Sequence, residues 1–358
     1  MQDNAMSRWL SPLMAFCLSF IIIATLAPIL GIGAERQLDF WLLWLGTMLI
    51  LALPITYMEV ALAKRSKTTA LNALSSLTRD ADAAAQWRVV GWLAVVFMPF
   101  LAGGMLFNAS TMLPEAGVPQ LGLFAGLAVL ALALSLVPRT VIVLITMLGV
   151  LASLVLSIVL GDRLPTWQFT ALEFSEWGAA TVLALVASGL GLGMYSQVSL
   201  NHVKNSNAAT AAVLPVWIAQ LLAVVAFGFF VAQTQIPAMA FVVSVIAGSA
   251  LLLNLARQQL AERQMPALIQ WLVVAVALLI WAIPMASAVF NVLVLLWGLL
   301  ICLIYAIFAG WIMKISHLRK ALNFSSEAIY NVWRIAMRIV LPLSIVMAIV
   351  ALIGKVLS

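Results

Sequence analysis

Few side chains in this sequence could take part in chemistry, and one of them, Glu59, lies in the apolar stretch LALPITYMEVALAKR. An ionisable residue inside a membrane span is costly and usually faces a partner or a cavity. Glu59 is therefore a candidate functional residue. The alternative is that it lies near the membrane surface, close to Lys64, and reaches the lipid headgroups.

The other reactive side chains do not form a catalytic set. Two histidines fall in loops, and two cysteines lie inside apolar runs, where a thiol behaves as a small hydrophobe: His202, His317, Cys17 and Cys302. The sequence shows no carboxylate pair, no nucleophile with a neighbouring base and no histidine cluster. We therefore expect a protein that is not an enzyme and that holds no cofactor and no metal centre.

The most unusual stretch is Ser188–Ser199, which reads SGLGLGMYSQVS. Its three alternating glycines interrupt an apolar segment, and each glycine costs about 1 kcal/mol relative to alanine in a helix. In lipid, unwound backbone is tolerated only where protein or a water-filled cavity satisfies its polar groups, so a broken helix here predicts a binding site. The alternative is that the glycines let neighbouring helices pack closely. The run lacks the strand–turn–helix context of a nucleotide-binding turn.

The composition around these residues is that of a membrane protein. The 358 residues are 65% hydrophobic and only 8% charged, with a mean hydropathy of +1.16, far outside the range of soluble domains. Apolar segments recur along the whole chain, so we expect one transmembrane domain over residues 1–358. The first apolar run is longer than the core of a signal peptide, and we expect it to be retained.

With about 20 apolar residues per span, the sequence predicts eleven membrane helices. Their approximate ranges are 10–33, 38–63, 90–113, 119–137, 139–160, 178–199, 208–231, 237–256, 267–283, 289–313 and 336–355. If the N-terminus is cytoplasmic, all of the 18 basic residues except Arg36, Arg163 and Lys355 lie on the cytoplasmic side. The positive-inside rule then predicts a cytoplasmic N-terminus and an external C-terminus. The net charge of +6 is thus a topology signal and does not indicate nucleic-acid binding.

Three further features concern how the spans are joined and shaped. The polar loop over residues 64–89 has a spacing that permits a short interfacial helix. The external loop over residues 161–177 carries three carboxylates, Asp162, Glu173 and Glu176. Pro28 predicts a kink in the first span. Interruptions in spans one and six would lie five helices apart, as in transporters built from two five-helix repeats.

At three collinear places the chain resembles the neurotransmitter:sodium symporter family, specifically its short bacterial members with eleven helices. The matching segments are LALPITYMEVALAKRS, PTWQFTALEFSEWGAATVLALVASGLGLGMYSQVS, and GWIMKISHLRKALNF…NVWRIAMRIVLPLSIV within residues 310–346. The resemblance implies an all-α, polytopic LeuT-like bundle of five helices plus five inverted helices. The two repeats would cover 10–160 and 178–313, and the eleventh helix would follow at 336–355.

The resemblance also implies a function and a site. The protein would carry an amino acid or a related small solute by alternating access, coupled to sodium, across a bacterial inner membrane. The implied solute contacts come from breaks in spans one and six and from span three: Ala24, Thr25, Leu26, Leu106, Val186, Gly189, Gly191, Leu192 and Gly193. In the family, the facing break in span one would run from Ala24 to Ala27.

Further roles follow from the same resemblance. Glu59 would accept hydrogen bonds from the amides exposed in the sixth span, and Pro28 would support the break in the first. The implied polar or ion ligands are Gln220 and Ser249, and the implied inner gate is the pair Arg8 and Glu262.

Several parts of the family pattern are missing. The first span, FIIIATLAPILG, has no asparagine to ligate sodium, and the eighth, AGSALLLN, keeps only the hydroxyl of Ser249. Met105 and Leu106 stand where the family presents a tyrosine, the outer gate charges are absent, and the short VAQTQIPAM replaces a long hairpin. These losses leave two main hypotheses, beside an uncoupled channel-like or lipid-handling role. One is a transporter with sodium coupling altered or lost; the other is a non-transporting subunit or sensor that binds a partner protein through its cytoplasmic loops.

Overall fold

The computed structural model describes residues 2–32, 37–113, 118–160, 166–195, 209–230 and 238–357. Almost all of them lie in helices, and this part of the chain holds no β-sheet beyond one isolated bridge between Gln37 and Gln168. The long apolar runs explain this result, because a helix satisfies all of its own peptide groups without water. The predicted all-α class is therefore confirmed.

We number the described helices α1 to α13 in chain order. They are α1 Gln2–Leu26, α2 Leu38–Ser66, α3 Ala70–Asp80, α4 Val89–Ser110, α5 Gln120–Leu134, α6 Arg139–Leu160, α7 Phe174–Ala187, α8 Thr210–Val225, α9 Ala238–Glu262, α10 Ala267–Leu279, α11 Ser287–Ile312, α12 Ile315–Leu322 and α13 Glu327–Leu357. Segments of π-helix occur within α2, after α8, at the end of α11 and within α13: Met48–Ala52, Ala226–Phe230, Phe308–Ile312 and Ala336–Val340.

The helices in the described part of the chain divide into three groups. Eight are long and apolar enough to cross a membrane: α1, α2, α4, α6, α8, α9, α11 and α13. Three more, α5, α7 and α10, are apolar but shorter. These eleven helices coincide with the eleven predicted spans, so the chain is a multi-pass membrane protein. The remaining two, α3 and α12, are short and amphipathic, and α3 is the helix predicted within residues 64–89.

Two predicted boundaries change in the structure. The sixth helix starts at Phe174 because Glu173 and Glu176 form a capping box there, in which each side chain accepts from a backbone N–H of the other's turn. The last helix starts at Glu327, after Ser326 accepts a hydrogen bond from the Ile329 amide. The sequence assigned both starts to loops, since polar capping residues lower the local hydropathy.

Helix α1 lies at the centre of the bundle, where it packs against α4, α6, α7, α8 and α9. Its residues from Met14 to Ala27 are almost all buried. Gly248 in α9 lies against α1, because a Cβ added at this glycine would be 2.9 Å from the Ile21 side chain. Close contact of this kind fixes the position of α1 relative to the site described below.

The predicted break in the first span is wrong. α1 is continuous through Leu26, the Ala27 amide donates to the Ile23 carbonyl at 2.8 Å, and a 3-10 turn follows at Pro28–Leu30. Pro28 therefore lies at the first position of a terminal turn, where the missing N–H costs little. The stretch has no glycine or asparagine to favour unwinding, and its Ile, Ala and Leu residues suit a helix.

Contacts between loops place the connections on two faces of the bundle. On one face, the Lys355 ammonium donates to the Leu30 carbonyl at 2.6 Å, close to the ends of α1 and α13. On the other face, Arg263 donates to Asn72, and Lys314 lies 3.5 Å from Asp82. This grouping agrees with the loops that the charge pattern assigned to opposite sides. Which face is cytoplasmic stays a prediction.

Candidate solute site at the broken helix

The helix α7 ends where the sequence predicted a break. The last helical bond is donated by the Ser188 amide to the Ala184 carbonyl at 3.1 Å. Four of the next five residues have positive φ: Gly189 at 73°, Leu190 at 57°, Gly191 at 71° and Gly193 at 76°. A left-handed residue cannot continue a right-handed helix. The segment therefore leaves the α-helical hydrogen-bond pattern and keeps a 3-10 bond from the Leu192 amide to the Gly189 carbonyl, at 3.0 Å.

Gly191 is required here both for its backbone conformation and for its small size. A Cβ at this position would lie 2.6 Å from Met58 Cε and 3.0 Å from Ile55 Cγ2, both on α2. The two interpretations offered from the sequence, an unwound segment and a close helix contact, are thus both correct at this residue. The break is held against the half of α2 that carries Glu59.

Serine and tyrosine hydroxyls satisfy carbonyls at the two ends of the break. The Ala187 carbonyl, which ends α7, accepts from the Ser19 hydroxyl at 2.6 Å and from the Tyr195 hydroxyl at 3.0 Å. The Ser11 hydroxyl donates to the Tyr195 carbonyl at 2.8 Å. Ser11 and Ser19 are eight residues apart on α1 and share one face. The intact helix α1 therefore braces the broken one, a role that the sequence analysis missed although serines in an apolar span could have signalled it.

Glu59 is buried, with only 1% of its surface exposed. The Cε of its neighbour Met58 would lie 2.6 Å from a Cβ at Gly191, which places this part of α2 against the break. The alternative position among the lipid headgroups is therefore excluded. Whether Glu59 accepts hydrogen bonds from the amides of the break stays a prediction.

Leu190 is a second residue that the sequence analysis missed. It is buried in a left-handed conformation that is costly for a residue with a Cβ, about 1 to 3 kcal/mol. Its side chain lies at Gly298 of α11, where an added Cβ would be 2.8 Å from Leu190 Cδ1. The same point is 3.1 Å from Phe97 of α4. Leu190 thus links the break to α4 and α11, and no local pattern distinguishes it from its neighbouring leucines.

The nine residues predicted to contact a solute are all buried. Gly189, Gly191, Leu192 and Gly193 form the unwound segment. The other five lie in regular helix: Val186 in α7, Leu106 in α4, and Ala24, Thr25 and Leu26 in α1. The Thr25 hydroxyl returns to its own helix, 2.9 Å from the Ile21 carbonyl and 3.0 Å from the Ile22 carbonyl. The break from Gly189 to Gly193 is therefore present, whereas the facing part of α1 is a continuous helix. Solute contact stays a prediction for all nine residues.

The two predicted polar ligands differ in their surroundings. Gln220 is fully buried in α8, and neither its Oε1 nor its Nε2 has a hydrogen-bond partner among the described residues. An unpaired buried amide costs about 1 to 3 kcal/mol, so any group that bonded to it would be stabilising. The Ser249 hydroxyl is 3.4 Å from the Ala102 carbonyl, a long hydrogen bond. Their roles as ligands stay predictions.

The predicted inner gate is seen only in part. The Glu262 carboxylate accepts from the Asn72 amide at 2.8 Å, and the Arg8 side chain lies outside the described part of the chain. No group of three or more His, Cys, Asp or Glu side chains that could hold a metal ion occurs among the described residues.

Comparison with known proteins decides the fold. No family model matches the chain, and no curated protein matches its sequence. The crystal structure of MhsT in complex with L-phenylalanine matches with a TM-score of 0.62 and 16% sequence identity, over 96% of this chain and 98% of that chain. MhsT has the LeuT fold. The chain has a LeuT-like fold. This confirms the predicted bundle, while membership of the symporter family and the bounds of the two repeats stay predictions.

Proposed function

We propose that this LeuT-fold protein carries an amino acid or a related small solute across the membrane by alternating access, with sodium coupling altered or lost. The observation that carries the proposal is the left-handed break from Gly189 to Gly193. Broken helices in this kind of fold present backbone N–H and C=O groups to a solute near the bilayer midplane. The break is buried, braced by α1 and placed beside Glu59, so its peptide groups have a fixed geometry for binding.

The altered coupling is supported by the state of α1. Sodium binding requires several oxygens to replace the water shell of the ion. In α1 the carbonyls of Ile21, Ile22 and Ile23 already accept bonds from Thr25 and Ala27. An intact helix of Ile, Ala and Leu thus offers few oxygens to an ion. The buried amide of Gln220 is the best remaining polar group for a solute or an ion.

The test is uptake into liposomes that contain the purified protein. L-Phenylalanine is the first labelled solute, because the matching MhsT structure holds it, followed by the other apolar amino acids. We expect saturable uptake that is unchanged when external sodium is replaced by potassium. Uptake that requires sodium would contradict the altered coupling. If neither uptake nor equilibrium binding is found for any amino acid, the carrier proposal fails.

Two variants sharpen this test. Gly191→Ala changes the break, whereas Gly126→Ala adds a methyl group where nothing lies within 4 Å. We expect the first change to abolish uptake and the second to leave it unaffected. Equal uptake by both variants would show that the break is not the solute site.

A second function is favoured by the apolar filling of the break. Leu190 and Leu192 lie within the break and are both buried, and α1 is unbroken. These features suit a transporter-derived membrane subunit or sensor that moves no solute and binds a partner protein through its predicted cytoplasmic segments, including α3 and α12. Gentle purification from native membranes would then give a stoichiometric partner together with no amino-acid binding. Solute binding without a partner would exclude this function.

A further inference from the structure

A cavity of about 630 Å³ opens beside α3, on the face of the molecule predicted to be cytoplasmic. Three cations and one carboxylate are among the residues that line it: Lys67, Arg88, Arg263 and Glu262. Hydroxyl groups from the loop before α3 and from α3 itself complete the polar lining: Thr68, Thr69 and Ser75. The cavity is distinct from the broken helix, and it shares with the predicted inner gate only Glu262.

Arg263 is held in place on the cavity wall. Its Nε donates to Asn72 Oδ1 at 2.7 Å, and its Nη2 donates to the carbonyls of Leu71 and Gly91 at 3.2 and 3.0 Å. The guanidinium also lies over the ring of Trp92, 4.3 Å from its centroid. Burial lowers the pKa of Arg263 from its ordinary value. Its Nη1 has no partner among the described residues, so a fixed, poorly solvated cation is left with donors for an anion.

The other two cations also have donors to spare. Lys67 follows α2 as its C-terminal cap, with a φ of 57°, and its ammonium makes no hydrogen bond or ion pair with any described residue. Arg88 donates its Nε to Thr78 Oγ1 at 3.0 Å, which leaves both terminal nitrogens. The single carboxylate, Glu262, is already bonded to Asn72. The charge balance of the cavity therefore favours an anion.

The walls of the cavity are fixed by bonds that tie α3 to the rest of the bundle. The Thr69 hydroxyl donates to Gln259 Oε1 at 2.7 Å, and the Tyr305 hydroxyl donates to the Ala70 carbonyl at 3.3 Å. Gln259 belongs to the membrane helix α9, and Tyr305 belongs to the membrane helix α11. A site whose donors are held before the ligand arrives loses little entropy on binding.

Apolar side chains next to the cavity indicate what the anion is attached to. Val89, Trp92 and Leu93 at the start of α4 are 55%, 40% and 41% exposed. On a membrane protein, such a face meets lipid acyl chains. We propose that the cavity binds the phosphate of an anionic phospholipid headgroup, with the acyl chains on the outer face of α4. Basic pockets at the cytoplasmic end of membrane helices suit this ligand.

The experiment measures lipid binding to the full-length protein in a neutral detergent by native mass spectrometry. Dioleoylphosphatidylglycerol is titrated against dioleoylphosphatidylcholine, and inorganic phosphate is tested separately at millimolar concentration. We take each cation that lies within reach of the bound phosphate to contribute about fivefold in affinity for an anionic lipid. We expect selective binding of phosphatidylglycerol, and a loss of about 25-fold in the double variant Lys67→Gln, Arg88→Gln.

Matched variants separate the cavity from general surface charge. The control, Arg79→Gln with Lys320→Gln, removes two exposed cations on the same face that do not line the cavity, and we expect its affinity to be unchanged. Arg88→Lys keeps the charge, so it should keep most of the affinity even though it loses the bond to Thr78. Equal binding of the two lipids, or an equal loss in the control, would overturn the proposal. Binding of inorganic phosphate that depends on Lys67 and Arg88, without lipid selectivity, would assign the site to a soluble phosphate instead.

Discussion

Helices α1 and α7 pack against each other, but their backbone hydrogen bonding differs. α1 stays helical from Gln2 to Leu26, apart from the N–H donor that Pro12 lacks, whereas α7 stops at Ala187 and is followed by four left-handed residues. The polar groups that the break exposes must find partners, because no water is present in an apolar interior. Ser11 and Ser19 of α1 supply two of them.

This contrast shows that the break depends on the intact helix beside it. A regular helix places Ser11 and Ser19 on one face, at the two ends of the unwound segment. If α1 also unwound between them, the two hydroxyls would lose their common register. The regular helical structure of α1 is therefore part of the site. The following predictions test how far the difference between the two helices extends.

The largest effect is expected for Gly191→Ala. The new methyl group would meet Met58 and Ile55, and the left-handed backbone would be strained. Together these costs lower the free energy of unfolding by about 2 to 5 kcal/mol, which thermal unfolding in detergent would detect. Gly126→Ala is the control and should be neutral or slightly stabilising. Equal melting temperatures for the two variants would contradict the geometry of the break.

The next effect is expected for Glu59→Gln. If the carboxylate accepts bonds from the break, its neutral replacement loses about 1.5 to 3 kcal/mol of stability. Glu327→Gln makes the same chemical change in an exposed ion pair with Arg319, 3.1 Å apart, and should cost less than about 1 kcal/mol. Thermal unfolding of both variants, with solute binding as a second readout, checks this. Equal small losses would mean that Glu59 does not support the break.

A smaller effect is expected at the brace from α1. Ser19→Ala and Tyr195→Phe each remove one donor from the Ala187 carbonyl, and each should cost about 1 kcal/mol. The double variant leaves that carbonyl unsatisfied, so its loss should exceed the sum of the single losses. Ser153→Ala is the control, because its hydroxyl only returns to the Gly149 carbonyl of its own helix. Additive losses in unfolding measurements would argue against a shared acceptor.

The smallest effect is expected for Pro28→Ala. Pro28 starts a terminal turn after α1 and is exposed, so its replacement should change stability by about 1 kcal/mol or less. Pro266→Ala, at the exposed N-terminal boundary of α10, is the matched control. A much larger loss of stability or uptake for Pro28→Ala would restore the idea of a functional kink in the first helix.

Much of the architecture was predictable because membrane helices are recognisable in a sequence by their length and hydropathy. The eleven spans, the amphipathic α3 and the interruption by alternating glycines all follow from local composition. The absence of a break before Pro28 was not predictable in the same way. A proline has different effects inside a helix and at its end, and the end of α1 is fixed by its packing rather than by nearby residues.

The sequence by itself determined that this chain is a bundle of membrane helices and that one of them opens at Gly189–Gly193, because both properties depend on residues adjacent in the chain. Only the tertiary structure decided that α1 stays unbroken and that Ser11 and Ser19 brace the break. It also decided that Leu190 is left-handed and links the break to α4 and α11. Lys67, Arg88 and Arg263 likewise meet at one cavity only after folding. These arrangements join residues far apart in sequence, and the burial and hydrogen bonds that stabilise them exist only once the helices are packed.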